Sequence, residues 1–301
     1  MMYALHCTQM TLSISLDICY IIAEYCVPLS LLDWIPQDKL NWVSLSGNSA
    51  AIHLLEENPR NINWHELSAN PEAIHLLEKN LENINWSALS RNPAAIDLLE
   101  ANLHKIKWDF LCMNPNALSL CEKYPHRIDW DQLARNTEEW AFDMLEKENL
   151  NRDIFNWYWL SANPAKQAIH LLEENPDEID WLMISRNPTA IHLIEENLDK
   201  ISWYLLCTNP AAIHLLKANS DRINWYPLCG NSAAIHLIEA NQDNIDNIGW
   251  IQLSANPAAI HLLKANPDKV NWYKLSMNPN IFELDRKNIA KFAYYLHSII
   301  V

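Results

Sequence analysis

The chain reads as an all-α solenoid of about eleven 22-residue two-helix repeats with an N-terminal helical cap. Three observations predict this. A tryptophan returns every 22 residues, an Asn-Pro step follows six residues after it, and an apolar pattern of helical period follows that step. The tryptophans that open the repeats are Trp42, Trp64, Trp86, Trp108, Trp130, Trp157, Trp181, Trp203, Trp225, Trp250 and Trp272. Seven of the ten intervals are 22 residues; the exceptions are 27, 24 and 25. The unit is W-x-x-L-S-x-N-P-x-A-I-H-L-L-E-x-N-P-x-x-I-N, with tryptophan as position 1.

The first element of each unit is a short helix that starts at the tryptophan. The Asp or Asn before the ring, as in Asp180-Trp181, is a plausible cap, and Trp64 and Leu67 share one face three residues apart. The second element starts at position 7, which is asparagine in all eleven units, with proline after it in eight. The asparagine side chain caps an orphan N–H, and proline at the first helical position lacks the N–H that would go unsatisfied. A helix of about nine residues is expected from each proline to the asparagine at position 17. In the Trp64 unit its apolar stripe is Ala73, Ile74, Leu77 and part of Leu76. A return loop completes the unit.

A 22-residue period with L-S-x-N also fits a leucine-rich repeat, where a strand carries L-x-L-x-x-N. Here the Asn-Pro step opens a helix, no L-x-L alternation precedes it, and the chain has only three glycines for tight strand corners. Helices this short hardly form alone in water, so the units must stack. Eleven layers at ~8–10 Å would give a rod or arc roughly 100 Å long. The expected organisation is a cap over residues 1–40, repeats over 41–285 and a closing amphipathic helix over 286–301.

The formal net charge is −15 and the pI about 5.2, with no run of Lys and Arg. A protein that neutralises phosphates needs a basic stripe, so nucleic acid and anionic membrane surfaces are not expected partners. The seven cysteines include no C-x-x-C pair. Cys207 and Cys229 hold one position in adjacent units, too far apart for a disulfide. They read as reduced core residues, and a cytoplasmic location is expected. The first 16 residues carry no Lys, Arg, Asp or Glu, and Asp17 and Glu24 interrupt the apolar stretch, so neither signal peptide nor membrane span is expected.

Histidine at position 12 forms a ladder: His53, His75, His170, His192, His214, His236 and His261. Rungs ~8–10 Å apart cannot share a zinc ion that needs ligands at ~2 Å. The ladder reads as a solvated face with histidine near glutamate, as in His53 and Glu56. No G-x-S-x-G, Gly-rich phosphate loop or H-E-x-x-H occurs. No cofactor, metal or enzymatic activity is expected. The insertions 146–156 and 242–249 read as local bends or as partner-specific loops.

Positions 2 and 3 carry the information about binding. In the first half they are mostly small or polar, as in Val43-Ser44, His65-Glu66, Ser87-Ala88 and Asp131-Gln132; Asp109-Phe110 is the exception. In the second half they become Tyr158-Trp159, Leu182-Met183, Tyr204-Leu205, Tyr226-Pro227, Ile251-Gln252 and Tyr273-Lys274. Aromatic stripes of this kind grip proteins. The expected partner-binding residues are Tyr158, Trp159, Met183, Tyr204, Tyr226 and Tyr273, and the competing reading is that these rings extend the core.

Residues 14 to 34, ISLDICYIIAEYCVPLSLLDW, depart from the repeat. Ile18, Ile22 and Tyr25 share a helix face, and Leu31 and Leu32 start a second helix after Pro28. This segment resembles the opening of an F-box, with Ser15, Cys26 and Ser30 replacing that family's proline, leucine and aspartate. The resemblance implies docking of Ile18, Ile22, Tyr25, Leu31 and Leu32 to the adaptor subunit of a cullin–RING ubiquitin ligase. The alternative is a helix pair that seals the first repeat.

The repeats from Trp42 to about Asp285 are similar to the W-x-x-L-S-x-N-P-x-A-I-x-L-L tandem repeats of large nucleocytoplasmic (giant) DNA viruses. That family is essentially without assigned activity. The resemblance implies a viral protein in the cytosol of a host cell. The expected function is a non-enzymatic protein-interaction scaffold with an unknown protein partner. The alternatives are a ubiquitin-ligase substrate receptor and a virion structural protein.

Overall fold

The computed structural model describes residues 15–147 and 156–300. The described chain is mostly helical with two three-residue strands, built of short helices that pack in tandem, as an α-solenoid requires. It divides into two compact units, Asp38–Asn280 and a terminal unit of Met1–Gln37 with Ile281–Val301.

The Trp64 repeat shows how the sequence makes each layer. Asn63 accepts the Glu66 N–H at 3.0 Å and so caps the helix Trp64–Ser68. Ser68 donates to the Trp64 carbonyl and accepts the N–H of Asn85, the residue that caps the next layer. Asn70 then turns the chain, its side-chain oxygen accepting the Glu72 N–H at 3.1 Å. Leu67, Ala73 and Leu77 have no exposed surface. Burial of each leucine stabilises by about 1.5–3 kcal/mol.

The second element differs from the expected nine-residue helix. A 3₁₀ turn, Pro71–Ala73, passes into a short α-helix, Ile74–Leu77. Ala73 sits at φ −95°, ψ 4°, between helical and extended backbone, and breaks the ladder there. The same break recurs at Ala51 and Ala259. Among the described residues a continuous nine-residue α-helix at this place forms only in two of the three irregular repeats, at Glu139–Lys147 and Lys166–Glu174. The return segment is also more regular than a loop: positions 18–20 form a 3₁₀ turn, as in Pro59–Asn61 and Leu81–Asn83.

Layers are joined through the position-7 asparagines. Each is buried and donates its side-chain amide to backbone carbonyls of the preceding layer. Asn92 bonds to Ser68 and Asn70, Asn114 to Ser90 and Asn92, and Asn209 to Ser185 and Asn187. The oxygen caps its own layer while the amide binds its neighbour, so no polar atom of the buried side chain goes unpaired. An amide buried without partners would cost about 1–3 kcal/mol.

The tryptophans are mostly half-buried, and Trp250 alone of the eleven is fully buried. Several carry a cation from the return segment on one face: Lys200 over Trp181 at 4.7 Å, Arg222 over Trp203 at 5.3 Å and Lys269 over Trp250 at 4.5 Å. The leucine or isoleucine at position 4 holds the centre of the core instead.

The Asp38–Asn280 unit closes on itself, where an open rod or arc was expected. Asn48, in the first repeat, donates to Ser276 and Asn278 of the last. The Asn41 N–H donates to Ser276 Oγ at 2.8 Å, and Lys39 lies 4.9 Å from the ring of Trp272. Each contact repeats, in register, one found between consecutive layers. Periodicity determines which faces stack; the small rotation per layer, which sets curvature, leaves no mark on it.

In the terminal unit, helix Leu16–Cys26 packs on helix Arg286–Ile300 through Cys19, Ala23, Ile289 and Ala293. Strand β1 (Leu29–Leu31) pairs antiparallel with strand β2 (Phe282–Leu284). The second helix expected at Leu31 and Leu32 is therefore replaced by a strand. Pro28 ends helical geometry, and the backbone of Phe282–Leu284 offers Leu29–Leu31 their hydrogen bonds. The 242–249 insertion is absorbed by a longer helix, Asn247–Ser254, capped by Asp246. Gly249 is required there, since a Cβ would come within 2.7 Å of Ile245. The 146–156 insertion falls largely outside the described residues.

Candidate partner-binding face

The capped short helix sets the direction of positions 2 and 3. Position 4 points into the core, so position 2 turns outward and position 3 leans toward the preceding layer. Position 6 of that layer meets it. Arg91 lies 6.0 Å from the ring of Phe110, and Arg135 only 4.0 Å from that of Trp159. Gly47 faces Glu66 in the same way.

Of the residues expected to bind a partner, Tyr158, Tyr204, Tyr226 and Tyr273 are exposed. Trp159 is half-buried, stacked under Arg135 and edge-on to Tyr158 at 4.9 Å. Met183 must be removed from the set: it is 4 % exposed and packs in the core, while its neighbour Leu182 takes the outward place. Position 3 is turned between layers, so an apolar residue there is covered; position 2 has no such cover.

Position 2 alone defines the face. Tyr158, Leu182, Tyr204, Tyr226, Ile251, Tyr273 and Val43 are each 37–51 % exposed. They occupy seven successive layers, because closure sets Val43 beside Tyr273. The remaining four layers carry His65, Ser87, Asp109 and Asp131. In sequence Val43 falls in the mostly polar first half. Applied uniformly, the position-2 rule would have found Leu182, Ile251 and Val43; only the closure makes the seven continuous. At the junction a cavity of about 200 Å³ opens between Val43, Ser44, Gly47, Glu66, Tyr273 and Met277.

The histidine ladder lies on another face, and its bonds run mainly between layers. His75 Nε2 is 2.8 Å from Glu56, His192 is 2.9 Å from Glu173, and His214 is 2.7 Å from Glu195. His53 instead pairs with Glu57 of its own helix at 3.2 Å. Glu239 takes both His236 and His261, and these bonds hold its carboxyl below the ordinary range.

Among the F-box-like residues, Ile18 is 47 % exposed, Ile22, Leu31 and Leu32 are half-buried, and the Tyr25 side chain lies outside the described residues. Cys19 and Ala23 form the buried face of that helix, so Ile18 and Ile21 point away from its partner helix.

Cys207 and Cys229 are buried free thiols that replace the position-5 serine. Burial raises both, Cys229 to about 12, and Cys207 Sγ accepts the Asn224 N–H as serine does elsewhere. Among the described residues no group of His, Cys, Asp and Glu is placed to hold a metal ion, and no helix is long and apolar enough to cross a membrane. Comparison of the chain with protein families, curated proteins and solved structures finds no match.

Proposed function

We propose that this protein is a non-enzymatic interaction scaffold whose protein partner docks on the position-2 face. The reading rests on the run of exposed apolar side chains over seven successive layers. Large contiguous apolar patches rimmed by polar groups mark protein-binding surfaces, and tyrosine supplies contact area at low entropic cost. The side chains sit on capped helices held by buried asparagines, so the surface is preorganised. From the resemblance of the repeats, the partner is sought in the cytosol of cells infected by a large DNA virus.

The test is affinity capture followed by mass spectrometry with the wild type and the Tyr204→Ser/Tyr226→Ser variant. The variant is expected to lose a specific partner and keep its melting temperature. Capture unchanged by the substitutions would refute the reading.

A second reading, an F-box-type receptor of a cullin–RING ubiquitin ligase, draws support from the exposed Ile18 and Ile21. The strand at Leu29–Leu31, where that resemblance implies a helix, weighs against it. Co-purification with the ligase adaptor, lost on Ile18→Asp, is its test. Recovery of the chain from purified particles by mass spectrometry would favour a virion structural protein instead.

A further inference from the structure

The junction cavity gathers side chains from three layers: Tyr273 and Met277, then Val43, Ser44 and Gly47, then Glu66. In two other layers an arginine at position 6 reaches the position-3 side chain of the next layer, as Arg91 does Phe110 and Arg135 does Trp159. At the junction position 6 of the last layer is Met277 and the position-3 residue of the first is Ser44, while one layer on Gly47 at position 6 leaves Glu66 uncovered. The Glu66 carboxylate has no hydrogen bond or ion pair among the described residues. Ser44, only 5 % exposed and lining the same cavity, has a buried hydroxyl with no hydrogen-bond partner. Tyr273 contributes an exposed ring, and Val43 and Met277 apolar walls.

A buried hydroxyl without a partner is uncommon, and one that shares a cavity with an unpaired carboxylate describes a seat for a donor-rich cation. We propose that this cavity receives an arginine side chain of the docking partner. The inference rests on the proposed partner face, of which the cavity is one end. A guanidinium matches the set: its fork donates two parallel N–H bonds to one carboxylate, a further N–H reaches Ser44 Oγ, and its plane covers a tyrosine ring. Its stem takes the apolar walls, and a cavity of about 200 Å³ holds one such side chain. The partner thus supplies the cation that Arg91 and Arg135 supply within the chain. The strongly acidic charge of −15 favours a basic partner segment.

The test uses N-acetyl-arginine amide as probe against the full chain, with its neutral citrulline analogue and N-acetyl-lysine amide as controls. Amide shifts of Gly47, Glu66 and Tyr273 are followed by NMR. Saturable shifts confined to these residues are expected with the arginine probe and not with citrulline. Glu66→Gln should weaken binding about tenfold or more, the loss expected for a charge-assisted pair. Gly47→Arg should abolish it by filling the seat from within. Gly47 lies at φ −84°, where arginine is unstrained, so this variant is expected to fold.

No saturable shift, or equal binding by either variant, overturns the proposal. Equal binding of the lysine probe overturns the assignment to arginine. The two readings fail separately. Partner capture lost in Tyr204→Ser/Tyr226→Ser but unchanged in Gly47→Arg would keep the face and remove the seat. Arginine binding without any partner capture would do the reverse.

Discussion

Asn48 donates its side-chain amide to the carbonyl of Asn278 at 3.1 Å, although 230 residues of chain separate them. The bond copies the one between Asn209 and Asn187, also 3.1 Å, in the middle of the array. Each asparagine also accepts an N–H two residues on and so caps its own layer. Asn48→Ala and Asn209→Ala should therefore cost alike, about 2–4 kcal/mol each, from lost bonds, lost cap and orphaned carbonyls. Urea unfolding of the two variants measures this. A nearly neutral Asn48→Ala beside a costly Asn209→Ala would mean that the array is open in solution.

Core and stack contribute unequally. Leu206 is completely buried, whereas Arg222 lies over the Trp203 ring at the surface. Leu206→Ala should destabilise by about 2–5 kcal/mol, through lost transfer energy and the cavity left behind. Arg222→Ala should cost about 0.5–1 kcal/mol, the worth of an exposed cation on an aromatic face. Denaturant midpoints for both variants decide the order.

Adjacent residues in one helix should respond in opposite ways. Leu182 is half exposed and Met183 is buried. Leu182→Ser should change stability by no more than about 0.5 kcal/mol, as surface substitutions do, while Met183→Ser should cost about 2–4 kcal/mol. Equal effects would show that position 2 is core after all and would remove the proposed face with it.

The bonds from His236 and His261 depress the Glu239 carboxyl below its ordinary value of 4.5. A group with a depressed folded pKa stabilises the fold above its unfolded pKa and loses that contribution as pH falls through the folded value. Between pH 7 and about 5 Glu239→Gln should therefore melt lower than the wild type. The difference should shrink below about pH 4.5, as the wild-type carboxyl protonates. Melting curves across that range test the sign. A gap that widens toward acid would contradict the assignment.

Of the six described cysteines only Cys26 is exposed. In a Cys7→Ser background one thiol should react with a disulfide reagent at neutral pH, and the others only after unfolding. Burial keeps Cys207 and Cys229 protonated, and the thiolate is the reactive species.

Local features were legible in the residues alone. Asn70 before Pro71 identified a cap, Asp180 and Asn63 identified the start of the short helix, and both act as read. The break at Ala73 was not legible, because alanine is the best helix former and its identity does not mark a change of backbone. Met183 was misplaced because periodicity over a four-residue helix cannot separate two adjacent side chains. Leu31 read as helix because its strand partner, Phe282, lies some 250 residues away. Closure escaped for the same reason: Lys39 and Trp272 carry no shared signal until the last layer meets the first.

That meeting constrains how the gene can change. An open array gains or loses a copy at little cost beyond the copy itself. Eleven layers in a circle divide a full turn into steps of roughly 33°. Deleting one would demand a wider step at every remaining contact, or leave the circle unsealed. Copy number is thus held by the geometry of all the interfaces together, and the insertions are of the kind that leave the asparagine column in register.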